Sequence, residues 1–148
     1  MTIDILPTLA KLSVAELPKR PIDGLDIWPL ISGQPNAKSP HAAFYFYWGQ
    51  HLQAVRSGNW KLHFPHDYIS TTSGNVGGNS RPGKPAQQKI QLALFDLESD
   101  RNETTNVADQ HADVVTRLAA LADKARADLG DSATKQAGSG VRKPGLVE

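Results

Sequence analysis

The stretch Ala54-Val-Arg-Ser-Gly-Asn-Trp-Lys-Leu-His-Phe64 decides the fold. Val55 before the turn, and Trp60, Leu62 and Phe64 after it at period two, read as the apolar face of two half-buried strands. Between them, Ser57-Gly58-Asn59 supplies residues that tolerate a positive φ, as a tight hairpin turn requires. The flanking strands are therefore expected to pair antiparallel. Lys61 and His63 then point away from the Trp60, Leu62 and Phe64 face, which puts a cation and a titratable ring on the less apolar side.

Upstream of the hairpin, Ala42-Ala-Phe-Tyr-Phe-Tyr-Trp48 lacks alternation and reads as a central strand buried on both faces. Gly49-Gln-His51 turns it into the first hairpin arm, giving three successive antiparallel strands. Downstream, residues 66–89 are mostly Gly, Ser, Thr, Asn, Pro, Lys and Gln and read as a long loop, a natural seat of specificity. A fourth strand is expected over 90–97, through Leu92, Leu94, Phe95 and Leu97, followed by a polar connection over 96–105. Val114, Val115, Leu118, Leu121, Ala122, Ala125 and Leu129 share one face of a helix over 111–129, which Gly130 ends. Residues 131–148 read as a mobile or extended tail. At the N-terminal end, Ile5, Leu6, Leu9 and Leu12 make the stripe of a short helix with Asp4 as its N-cap. Residues 23–33 then read as a turn and one helical turn anchored by Leu25, Trp28, Leu30 and Ile31. The expected class is α+β: a small four-stranded antiparallel sheet packed against a long C-terminal helix.

The totals fit one core, since a chain of 148 residues typically buries about 70% of its unfolded surface. Hydrophobic residues at 39% and charged residues at 21% exclude the composition of a disordered chain. A formal net charge of +1 offers no electrostatic reason to expect nucleic acid or a membrane surface. With no cysteine, the sequence holds no disulfide, thiolate metal site or cysteine nucleophile. Read as it stands, it carries neither a basic, apolar leader nor an apolar run near the ~20 residues that span a bilayer.

Candidate chemistry is sparse. Gly78-Asn-Ser-Arg-Pro-Gly-Lys-Pro85 matches a phosphate-binding loop up to its lysine, but Pro85 replaces the hydroxyl residue and no strand-to-helix context surrounds it. His63-Phe-Pro-His66 could offer two imidazoles to a metal, with His51 or Asp67 beside them, yet Pro65 interrupts any regular spacing. Tyr47 and Trp48 could stack on a sugar ring or belong to the core. Asn102-Glu-Thr104 satisfies the glycosylation sequon. No Ser/His/Asp set and no carboxylate pair has a spacing that forces a catalytic reading.

Four ordered motifs resemble the C-terminal part of the arylsulfatase-type sulfatases. Residues 2–12, Thr-Ile-Asp-Ile-Leu-Pro-Thr-Leu-Ala-Lys-Leu, look like the helix closing the catalytic domain of that family. Ile22-Asp-Gly-Leu-Asp-Ile-Trp-Pro-Leu-Ile-Ser-Gly33 is similar to the segment that follows it. Ala54-Val-Arg-Ser-Gly-Asn-Trp-Lys-Leu62 resembles the family hairpin, and Leu94-Phe-Asp-Leu-Glu-Ser-Asp100 with Glu103 and Asn106-Val-Ala108 resembles the segment before its last helix. Tyr47 to Ala54 and the long loop are most like the arylsulfatase A and N-acetylgalactosamine-6-sulfatase branch. Arg101 stands where the family usually has proline.

The resemblance implies an accessory domain over 35–130, a tail end of the catalytic domain over 1–34 and a flexible tail over 131–148. It implies a role in supporting the catalytic domain, in cis or in trans, and in lining a cleft for a sulfated carbohydrate or aryl sulfate. Trp48, His51, His63 and His66 are the expected sugar-side contacts. Members of the family are commonly secreted, periplasmic or lysosomal. The family's Cys or Ser-x-Pro-x-Arg signature is absent, and Ser80-Arg-Pro-Gly-Lys84 only imitates it, with lysine in the last position. Calcium and formylglycine are therefore expected in the catalytic domain and no cofactor in this chain, which should be inactive alone. The alternative is a free-standing, non-catalytic module that binds a sulfated glycan or a protein.

Overall fold

The computed structural model describes residues 1–70 and 85–142, which divide into two compact units, one ending at Ala42 and one beginning at Ala43. The polar stretch after residue 34 belongs to the first unit.

The first unit is built on α1 (Ile5–Ser13), which a 3-10 turn at Thr2–Asp4 precedes, and the single turn α2 (Trp28–Ile31). Asp4 does not cap α1 with its side chain. Its fully buried carboxylate instead accepts the Leu25 N–H at 2.9 Å and meets His41 Nε2 at 2.7 Å and the Met1 amine at 2.8 Å. Burial opposes that charge, but these donors outweigh it and lower the Asp4 pKa to about 2. Thr8 donates its hydroxyl to the Asp4 carbonyl and accepts the Ile27 N–H, fastening residues 25–27 along the helix. Gly24 lies so close to the Ile3 carbonyl that a Cβ there would overlap it, which explains the glycine of that motif. The helix therefore buries Pro7, Thr8 and Ala10, while the Ile5, Leu6, Leu9 and Leu12 stripe stays exposed. Leu25, Trp28, Leu30 and Ile31, expected as anchors, are exposed too, from 39% at Trp28 to 62% at Ile31.

The second unit contains a four-stranded antiparallel sheet in the order β1 (Phe44–Trp48), β2 (His51–Ser57), β3 (Trp60–His63), β6 (Ala93–Asp96). The opening hairpin is β2–β3. Ser57 faces Trp60 across the two-residue turn Gly58-Asn59. Only Gly58 has a positive φ there, +61°, the pattern of a type II′ turn whose twist matches the strands. Helix α3 (Ala112–Leu129) packs on one face of this sheet through Val114, Leu118, Ala122 and Ala125. Leu52, Val55, Leu62, Phe64 and Leu94 meet it from the sheet and its margin.

The aromatic run, expected as a central strand, is the edge strand β1. Its lack of alternation has a different cause: Tyr45 and Tyr47 pack on the helix side, and the Tyr47 hydroxyl donates to the Gly130 carbonyl at 2.9 Å. Phe44 and Trp48, both exposed, retain their aromatic character without a core to fill. The expected loop over 66–89 also contains structure, since β4 (His66–Ser70) and β5 (Ala86–Ile90) pair as an antiparallel ribbon. Both faces of that ribbon are largely wet, so it carries no apolar period that a sequence pattern could reveal. The fourth sheet strand is correspondingly shorter than expected, and Leu92 is exposed.

Within residues 131–148, expected as a mobile or extended tail, the described residues 131–142 are hydrogen-bonded into the unit. Asp131, 2% exposed, accepts the Arg126 Nε–H at 3.0 Å, the Ala133 N–H at 3.0 Å and the Leu52 N–H at 3.3 Å. A short ladder, β7 (Gly130–Asp131) with β8 (Gln136–Ala137), then folds the chain back on the end of α3. There the Ser139 and Gly140 N–H groups satisfy the Ala127 and Asp128 carbonyls. Residues 143–148 lie outside the described residues.

Candidate functional site

Because Leu62 turns into the core, its neighbours Lys61 and His63 emerge on the opposite face of the sheet, as the period of two requires. The connection after β6 brings their partner. Asp100 accepts the N–H groups of Thr104 and Thr105, each at 2.8 Å, and the Thr104 hydroxyl at 3.0 Å. This closes a tight loop in which Glu103 adopts a left-handed φ of +56°. From there its carboxylate takes the Lys61 Nζ at 2.7 Å on one oxygen and His63 Nε2 at 2.7 Å on the other. Lys61 Nζ also stands over the Phe46 ring, 4.7 Å from its centre.

A carboxylate can only accept, so the His63 proton sits on Nε2 and the neutral ring presents an unprotonated Nδ1. That Nδ1 is buried without a hydrogen-bond partner in the structure. Burial and then the nearby Lys61 charge push the His63 pKa down from 6.5, partly offset by Glu103. Burial pushes Glu103 up, but the hydrogen bonds from Lys61 and His63 outweigh it and leave its pKa below 4.5.

Two further histidines join the cluster. The His66 ring stacks on that of His63, with centres 5.5 Å apart and planes at 18°, and donates from Nδ1 to the Phe64 carbonyl at 2.7 Å. His51 meets His66 edge-on at 6.3 Å. Three of the four expected contact residues are thus brought together. Trp48 is not in ring contact with them: it faces His51 across the β1–β2 register and projects outward, 78% exposed. It lines a separate groove with Tyr68 and Ile69. Glu103 is the residue that sequence reasoning left without a role. Its only signal was its place in the Leu94-to-Ala108 motif.

Chemically the cluster can bind and orient. Among the described residues, no group of three or more metal-ligating side chains could hold an ion, so the donor set here does not fit calcium. The segment Gly78–Pro85, with Ser80–Lys84 inside it, lies outside the described residues except for Pro85. Among the described residues no helix is long and apolar enough to cross a membrane.

A four-stranded antiparallel sheet with a long helix on one face is consistent with a sulfatase C-terminal domain. The chain belongs to the family described as the C-terminal region of aryl-sulfatase, which matches residues 39–145. It is similar to arylsulfatase A of Bos taurus, 34% identical over 119 residues, or 73% of this chain and 22% of that protein. Steryl-sulfatase of Mus musculus is 32% identical over 142 residues, 86% of this chain and again 22% of the relative. The chain thus spans 22% of the length of these two relatives. A solved structure concerned with the metabolism of multiple glycosaminoglycans by Bacteroides thetaiotaomicron has a TM-score of 0.59. It covers 83% of this chain and 24% of its own at 24% identity, and so bears on the fold alone.

Proposed function

We propose that this chain supports a sulfatase catalytic domain, supplied in cis or in trans, lines its substrate cleft and hydrolyses no ester by itself. Family membership supports the first part. The observation that carries the second is the gathering of His51, His63 and His66 beside the Lys61–Glu103 pair, on the sheet face turned away from the core. Cleaving a sulfate ester requires a strong nucleophile, cationic stabilisation of the sulfuryl oxygens and usually a metal. The sequence has no cysteine and no Ser-x-Pro-x-Arg, and its one well-placed lysine is tied to Glu103. Formylglycine and calcium are accordingly assigned to the catalytic domain.

On this reading His51, His63, His66 and Trp48 face the sugar side of a sulfated carbohydrate or the ring of an aryl sulfate. His51 and His66 can offer ring nitrogens to the sugar, His63, with Nε2 held by Glu103 and Nδ1 buried, orients the His66 ring stacked on it, and the indole offers a stacking face. In a protein that joins this chain to its catalytic domain, His63→Ala and His66→Ala should each lower kcat/KM on a sulfated sugar about tenfold. Unchanged kcat/KM for all four alanine variants would remove the cleft assignment.

A further inference from the structure

We infer that the groove beside Trp48 is a subsite for an uncharged pyranose ring, next to but distinct from the histidine cluster. This rests on the reading of the chain as part of a glycan-facing cleft, and adds which sugar the groove accepts.

The groove, about 490 Å³ in volume, is lined by Trp48, Gln53, Asp67, Tyr68, Ile69 and Gln87. Trp48 is 78% exposed and Tyr68 44%, an unusual investment of aromatic surface in water. A β-bulge aims the third member. Phe46 faces Ala54 and Tyr47 faces Leu52, so Gln53 has no counterpart on β1. The Gln53 carbonyl still accepts the Phe64 N–H at 2.9 Å, which fixes the bulge, while its side chain lines the groove. Across from it, Gln87 Nε2 donates to Asp67 Oδ2 at 3.4 Å.

Aromatic faces beside two planar amides and a carboxylate suit a pyranose. The C–H face of the ring stacks on the aromatic surface, and its hydroxyls both donate to carboxylate and amide oxygens and accept amide hydrogens. The charges select the kind of ring. Among the described residues, no cationic side chain lines the groove. Lys89 Nζ lies 3.9 Å from Asp67 Oδ1 and is paired with it. A sulfate or carboxylate on a sugar in this position would meet the Asp67 charge, which a long, exposed ion pair with Lys89 offsets only in part.

The test is a titration of the 148-residue chain with N-acetyllactosamine and with its 6-O-sulfated form, followed through the Trp48 indole and the Gln53 and Gln87 amide signals by NMR. The expected result is a selective shift of these three with the neutral sugar. Binding should weaken about tenfold in Trp48→Ala, whose unchanged fold the other amide signals report. The sulfated sugar should bind about threefold more weakly, a difference that Asp67→Asn removes. No shift at these three groups, equal or tighter binding of the sulfated form at them, or a Trp48 shift driven by protein concentration without sugar, would each overturn the proposal. Turnover is not measured, so failure here leaves the catalytic-domain reading standing. Unchanged kcat/KM for the histidine variants alone would leave this subsite standing.

Discussion

Glu103 joins Lys61 and His63, and its carboxylate fixes the tautomer of the histidine. The consequence is a stability that depends on pH. A folded state that binds fewer protons than the unfolded chain gains stability as pH rises. The His63 pKa is lowered by folding, so its contribution is complete above the unfolded value of 6.5 and is lost as pH falls from there toward the folded value. Glu103, also lowered, acts in the same direction in the more acidic window below 4.5. The urea midpoint should therefore fall between about pH 7.5 and pH 5.5, and His63→Gln should remove part of that fall. Equal slopes for the wild-type chain and the variant across this range would show that His63 does not lose its proton on folding.

At the scale of elements, the hairpin and α3 carry their own sequence signals. Gly58 and the period of two define the former, and Val114, Leu118, Ala122 and Ala125 at helical spacing define the latter. The edge position of β1 was not legible, because an aromatic run states that its residues want cover without stating which strand pairs on its far side. The β4–β5 ribbon was hidden for the opposite reason, having almost no buried face. The candidate site was half legible: the strand period put Lys61 and His63 together, but Glu103 reaches them only through the loop that Asp100 closes. Composition also concealed the fold-back after α3. Asp131 sits in a Gly-, Ser- and Lys-rich segment, yet it receives three hydrogen bonds inside the unit. Asp131→Ala would strand two backbone donors and take one carboxylate from Arg126, which keeps its Asp123 partner at 2.9 Å, and should cost about 3 kcal/mol in urea unfolding. A loss within about 0.5 kcal/mol, the range of an ordinary surface substitution, would mean that the β7–β8 fold-back adds nothing.

At the scale of the whole molecule, the described residues gather one hydrophobic core cluster, in the second unit, and leave other apolar surface exposed. Leu6 and Leu9 on α1 are each more than half exposed, and Trp28 and Ile31 of α2 are uncovered as well. On the proposed reading, a catalytic domain supplies the missing cover and the reacting groups, while this chain contributes a sheet face with three histidines and an aromatic groove. The most direct test is hydrolysis of 4-nitrophenyl sulfate by the 148-residue chain, alone with added calcium and joined to a catalytic domain that carries the Cys or Ser-x-Pro-x-Arg signature. The account predicts no release of 4-nitrophenol above buffer from the chain alone and turnover from the joined protein. Steady turnover by the chain alone, abolished by His63→Ala, would contradict it.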